Sequence, residues 1–183
     1  IGTRFRVTDE TEVGGYYLNY NDRTPVPEIN AFTPGPIKGS PLGSGSYQVR
    51  YFDNIKLLGG TVSTTFGPVS AYAEYTYREG APVLVDAIID PAKKTTISTP
   101  TRGNVSQLNL GGFYNIGRTP IADQVQLLGE ISAVQVHKIT PRKAVGSEAF
   151  PAAFGFVPGD NPYFQTKNGL AMSATLVLGY PGI

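Results

Sequence analysis

Apolar and polar residues alternate with period two in several separate stretches of this chain. That spacing predicts β-strands, whose successive side chains point to opposite faces. In residues 69–78 one side reads Val69, Ala71, Ala73, Tyr75, Tyr77 and the other Ser70, Tyr72, Glu74, Thr76, Arg78. Residues 106–116 set Leu108, Leu110, Tyr114 and Ile116 against Gln107, Asn109 and Asn115. Residues 123–136 set Val125, Leu127, Gly129, Ile131 and Ala133 against Gln126, Leu128, Glu130 and Ser132. Residues 169–180 set Leu170, Met172, Leu176 and Leu178 against Ser173 and Thr175.

A unit recurs over residues 55–78, 104–137 and, less cleanly, 3–21: a strand, a tight turn, a second strand, then a long loop. Short turns at one end and long loops at the other are the pattern of an antiparallel up-and-down transmembrane β-barrel. The fold class expected is therefore all-β, with strands near residues 3–8, 11–21, 55–66, 69–78, 104–116, 123–136 and 169–180. Long outer loops are expected over 22–54, 79–103 and 138–168. Residues 46–53 read as a β extension within the first of these loops, because a full strand there would put 79–103 at the short-turn end. The alternative is an eighth strand that closes a small barrel. All 15 prolines fall outside the expected strand interiors, as the missing N–H requires. Outward Tyr20, Tyr75 and Tyr77 would mark the outer interface, and Phe66, Tyr114 and Tyr180 the periplasmic one.

Seven strands leave unpaired edges, which are costly in lipid, so the chain is expected to be one stretch of a larger barrel. Residues 179–183 read as a strand running into a further turn. Composition agrees with this class. Charged residues make up 16% of the chain and the net charge is +1; no basic patch suggests nucleic acid, and no block of like charge suggests a disordered tail. There is no cysteine, hence no disulfide scaffold and no thiolate site. No apolar run is long enough for a membrane helix, but a membrane strand needs only alternate apolar residues.

The stretch from Glu12 to Pro25 and the stretch from Ile55 to Pro82, with Ile55-Lys56-Leu57-Leu58-Gly59 and Tyr72-Ala73-Glu74-Tyr75-Thr76-Tyr77-Arg78, carry a likeness. They resemble a large proteobacterial outer-membrane barrel family of unknown function, distantly similar to FadL-type transporters of hydrophobic compounds. The resemblance implies localisation in the outer membrane of a Gram-negative bacterium. It also implies capture or passage of hydrophobic small molecules such as lipids, fatty acids or steroids. Outer-membrane lipid, a hydrophobic solute and a periplasmic or exporter partner are the implied partners. Members of that family are several times longer than this chain. The resemblance has no catalytic content and implies no cofactor.

The residues expected to line the lumen are Arg4, Arg6, Asn19, Tyr72 and Glu74, together with Arg78, Gln107, Asn109 and Glu130. They would either bias solute charge or form a hydrogen-bonded wall network. Two loops are unusually apolar: Val83, Leu84 and Ile88 in one, Phe150, Phe154 and Phe156 in the other. Exposed apolar loops mark a capture site for a hydrophobic solute or contacts between loops. His137, the single histidine, has no Cys or acidic cluster in sequence, no Gly-x-Ser-x-Gly elbow accompanies it, and no serine partner is evident. No metal site and no enzymatic activity are expected. Two other functions fit the same pattern. One is a structural barrel that docks a periplasmic or export complex. The other is a soluble β-sandwich binding module, in which Leu108, Leu110, Leu176 and Leu178 would be buried in protein.

Overall fold

The computed structural model describes residues 1–29, 47–90, 95–140 and 167–180. Nine strands occur among them: β1 (Gly2–Arg6), β2 (Thr11–Tyr20), β3 (Val26–Ile29), β4 (Tyr47–Arg50), β5 (Ile55–Phe66), β6 (Val69–Asp90), β7 (Thr95–Gly117), β8 (Gln124–Ile139) and β9 (Asn168–Gly179). No helix is present among the described residues. Seven strands form one antiparallel sheet in the order β1-β2-β5-β6-β7-β8-β9. Within this sheet the spatial order follows the chain order, with β3 and β4 left out between β2 and β5. The all-β, antiparallel expectation holds. The sheet does not close on itself: among the described residues β1 pairs with β2 alone and β9 with β8 alone.

The hairpin β3–β4 is a separate two-stranded sheet, so residues 47–50 do not add an eighth strand to the main sheet. Between β5 and β6 the turn is Gly67-Pro68. Gly67 has φ of 53°, the conformation a primed hairpin turn needs at its first central position. Proline then fits the following position, where φ is negative.

Residues 79–103 correct the expectation of a loop. β6 runs on to Asp90 and β7 begins at Thr95, so the two form a long hairpin. It projects past the start of β5 at Ile55 and past the end of β8 at Ile139. Pro82 and Pro100 sit inside these strands, opposite Arg102 and Leu84. Among the described residues no further strand pairs with the outer side of β6 at Pro82 or of β7 at Pro100, and a proline at a strand edge breaks no ladder. Gly80, with φ of 78°, marks the irregularity between Arg78 and Ala81 where the hairpin leaves the main sheet.

Directly opposed residues of an antiparallel pair point to the same face, so the register sorts the whole sheet. One row across all seven strands reads Phe5, Val13, Val62, Ala73, Leu110, Ile131, Met172. Every member is apolar. On the opposite face the neighbouring row reads Arg4, Gly14, Thr61, Glu74, Asn109, Ser132, Ala171. Tyr77 stands four positions beyond Ala73 on the apolar face, and Val69, opposite Tyr114 and Phe66, four positions on the other side. That spacing is about 27 Å along a strand at about 3.4 Å per residue. The apolar face is largely uncovered: Met172 is 72% exposed and Leu170 70%.

Among the described residues the compact core lies at the loop end. Phe52 and Ile55 are fully buried and pack with Ala81, against Tyr20, Val26 and Val105. Ile55 lies opposite Tyr20, on the face that carries Arg78 and Val105, so the segment that leads into β5 covers the polar face at this end.

Candidate functional site

The polar face of the sheet is built from alternate residues of its seven strands, and its side chains bond to one another across strands. Arg78 Nη2 donates to Gln107 Oε1 at 2.6 Å. Gln107 Nε2 donates to Asn109 Oδ1 at 3.0 Å and reaches Ser132 Oγ at 3.4 Å, and Ser132 Oγ donates to Asn109 Oδ1 at 2.7 Å. Arg4 pairs with Glu12 at 3.4 Å on the first hairpin. Toward the short-turn end a cleft of about 500 Å³ opens, with Arg6, Glu12, Tyr72, Phe113, Leu128 and Glu130 in its lining.

Two tyrosines lie over glycines of the next strand. An added Cβ on Gly59 would collide with the Tyr16 ring, and one on Gly111 would meet the Tyr72 ring at 2.6 Å. The pairs Tyr16–Gly59 and Tyr72–Gly111 are directly opposed in the register. The tyrosine ring fills the space the glycine leaves, which pins strand alignment. The Tyr16 hydroxyl also donates to Glu74 Oε1 on β6, two strands away. Tyr16→Phe should lower stability by about 1–2 kcal/mol, the range for a bond to a charged group that water can partly replace. Denaturant unfolding of the two proteins checks this, and an unchanged midpoint would mean the bond contributes nothing.

The register places Arg4, Arg6, Tyr72, Glu74, Arg78, Gln107, Asn109 and Glu130 on the polar face. Asn19 is a correction. It lies opposite Lys56, on the face of Tyr17, Leu58 and Tyr77, while Tyr16, Leu18 and Tyr20 occupy the polar side. Tyr20 is therefore not an outward girdle residue; it packs against the Phe52 core. The physical cause is the Tyr16–Glu74 contact, together with the ring of Tyr16 over Gly59, which commit β2 to one parity.

Of the expected capture residues, Val83, Leu84 and Ile88 belong to strand β6 rather than to a loop. Val83 and Leu84 are half-buried, opposite Thr101 and Pro100. Phe150, Phe154 and Phe156 lie outside the described residues.

Sequence reasoning missed two features. One is a strap at the loop end: Arg102 binds Asp53 through both its carboxylate and its backbone carbonyl, and its Nη1 reaches Gly80 O at 3.3 Å. The guanidinium groups of Arg50 and Arg102 stand 5.0 and 5.5 Å from the Phe52 ring centre. No periodic signal announces such a contact, because residues 51–54 are outside any strand. The other is a serine partner for His137. Its Nε2 lies 2.8 Å from Ser106 Oγ, and its ring lies 5.9 Å from that of Tyr77. The residues meet because β8 bulges between Val136 and Lys138, which turns His137 toward β7. Ser106 is buried, and no carboxylate joins the pair among the described residues. No group of three or more His, Asp or Glu side chains is placed to hold a metal ion among the described residues.

The profile of a protein family of unknown function, DUF1302, matches residues 1–183. This chain belongs to the DUF1302 family. No curated protein and no solved structure matches it. In this DUF1302 chain the site is therefore defined by its own geometry: a polar, internally bonded face, an apolar and largely exposed face behind it, and a packed strap at the loop end.

Proposed function

We propose that these strands are part of the wall of a bacterial outer-membrane β-barrel that captures or passes hydrophobic small molecules. One observation carries the reading: the same seven strands present a hydrogen-bonded polar face and, behind it, exposed apolar rows bounded by aromatic side chains. Such a face in water would be a large sticky patch, whereas lipid solvates it without cost. The aromatics Tyr77 at one border and Phe66 and Tyr114 at the other suit the two interfaces. The open edges at β1 and β9 need further strands for closure, since unpaired backbone groups are not tolerated in hydrocarbon. In this arrangement the polar face lines a lumen, and the projecting β6–β7 hairpin and the Phe52 strap stand at its outer mouth. Solute would be captured there and move by diffusion, through the lumen or a lateral opening. Hydrophobic solutes are what the resemblance read from Glu12–Pro25 and Ile55–Pro82 implies.

The chain has no cysteine, so single-cysteine variants can be spin-labelled without a background. In bilayers, labels at Leu108, Leu110 and Leu176 should collide with oxygen and be shielded from an aqueous nickel chelate. Labels at Gln107, Asn109 and Ser173 should show the converse. Labels at the leucines that are shielded from both would mean burial against protein, and a β-sandwich would replace the barrel. For passage, cells that produce the protein should take up N-phenylnaphthylamine faster than cells without it. Equal rates would leave a wall with a docking role only.

A further inference from the structure

We infer that Ser106 and His137 are the nucleophile and the general base of an ester-cleaving site, with acyl lipids as its class of substrate. The choice of lipid rests on the barrel reading above. Ser106 lies opposite Tyr77 and Gln135 in the register, on the apolar face, in the row that borders the loop end. Its Oγ stands 2.8 Å from His137 Nε2, the separation a nucleophile and its base need. In the tautomer with its proton on Nδ1, the imidazole accepts the Ser106 hydroxyl hydrogen at Nε2. The extra residue in β8 turns the ring toward Ser106, and the Tyr77 ring packs on it at 5.9 Å, tilted by 41°. His137 itself is exposed, so water reaches the base.

A groove supplies the substrate side. On the apolar face a hollow of about 470 Å³ is lined by Ser106 with Tyr75, Leu108, Ala133 and Leu170. The last four form the adjoining row across β6 to β9, two residues closer to the middle of the sheet. Ala133 is the small member of that row and leaves space between Leu108 and Leu170. Ser106, buried as a residue, therefore meets an open groove rather than packed protein. Membrane lipids carry their acyl esters at the edge of the hydrocarbon layer, which is the level of the Tyr77–Ser106 row. An acyl chain laid in the groove brings its carbonyl to Ser106. Gln135 and Asn168, next in the same row, also line the groove, and their amides are the donors at hand for an oxyanion.

The reaction needs only water as co-reactant. Ser106 Oγ attacks the acyl carbonyl carbon while His137 Nε2 takes the hydroxyl proton. The bond to the leaving alcohol breaks, and His137 returns that proton to the departing oxygen. A water deprotonated by the same nitrogen then cleaves the acyl-serine, releases a fatty acid and restores Ser106. With no carboxylate beside the ring among the described residues, turnover should be slow, as it is when a Ser-His-Asp triad loses its acid.

The test is labelling by a fluorophosphonate–rhodamine probe, which phosphonylates activated serines, on the protein in non-ionic micelles. Tandem mass spectrometry should place the adduct on Ser106 of the native wild type, and heat-denatured protein should stay unlabelled. This result does not depend on the folding of any variant. His137→Gln should label at least about a hundredfold more slowly, the loss of a general base. Ser173→Ala, on the polar face, should label like wild type. Cleavage of p-nitrophenyl dodecanoate should fall with labelling, and Ala133→Leu, which fills the groove, should slow it more than cleavage of the acetate. No adduct, an adduct on another serine, or equal labelling of His137→Gln and wild type would overturn the site and leave the pair as a contact that closes the bulge. Equal effects of Ala133→Leu on the two esters would overturn the groove. Failure of the barrel reading is seen separately, in the spin-label pattern, because the dissolved probe needs no bilayer.

Discussion

Phe52→Ala should produce the largest loss of stability among single truncations in this protein, about 3–5 kcal/mol for removal of a fully buried aromatic ring. Phe52 is 0% exposed and shares its core with Ile55 and Ala81. Its ring also lies beneath two guanidinium groups, an arrangement worth about 0.5–2 kcal/mol more. The ring anchors the strap: Asp22 N donates to Phe52 O at 2.7 Å, and Asn54 N donates to Asn21 Oδ1 at 3.0 Å. Guanidinium unfolding in lipid vesicles measures the loss, and hydrogen exchange at the Asp22 amide reports release of the strap. Phe66→Ala is the control, since Phe66 is 64% exposed on the other face. Equal destabilisation by the two changes would mean the loop-end core has no special weight.

Leu110→Arg should block assembly in the membrane. Leu110 occupies the apolar row from Phe5 to Met172, midway between the aromatic borders at Tyr77 and Tyr114. A guanidinium at the lipid midplane of a barrel costs about 2–4 kcal/mol, and the cost falls toward either interface. Asn109→Arg, one residue away on the same strand, faces the polar side and should assemble. The contrast between neighbours is the informative part, because a general defect of β7 would affect both. Fractionation of outer membranes, with heat-modifiable gel mobility as the sign of folding, separates the outcomes. Normal assembly of Leu110→Arg, or equal failure of the pair, would remove the lipid-facing assignment.

Parts of this architecture were legible in the chain because a strand writes its two faces into alternate residues. Leu108, Leu110, Gln107 and Asn109 show it on β7, and Leu176 against Thr175 on β9, where charge and size leave no doubt about parity. Strand β2 was not legible in this way. Its two sets, Val13, Tyr17 and Asn19 against Glu12, Tyr16 and Leu18, are both mixed. Tyrosine serves a lipid interface and a lumen equally well, so polarity alone assigned Asn19 and Tyr20 to the wrong sides. The projecting hairpin was hidden for another reason. Prolines usually exclude a strand; Pro82 and Pro100 are accepted in strands that, among the described residues, pair with no further strand on their outer sides.

Sequence by itself determined that this protein is all-β and antiparallel, with one apolar and one polar side to most strands and a low share of charge. Tertiary structure alone decided which residues meet: Tyr16 with Glu74, Ser106 with His137, Phe52 with Arg102, and Arg78 with Gln107. The reason is physical. Alternation is a property of one strand and travels with its own residues. Register between strands is set by backbone pairing, turn geometry and the seating of tyrosine rings on glycines, and none of these has a period that one strand can display.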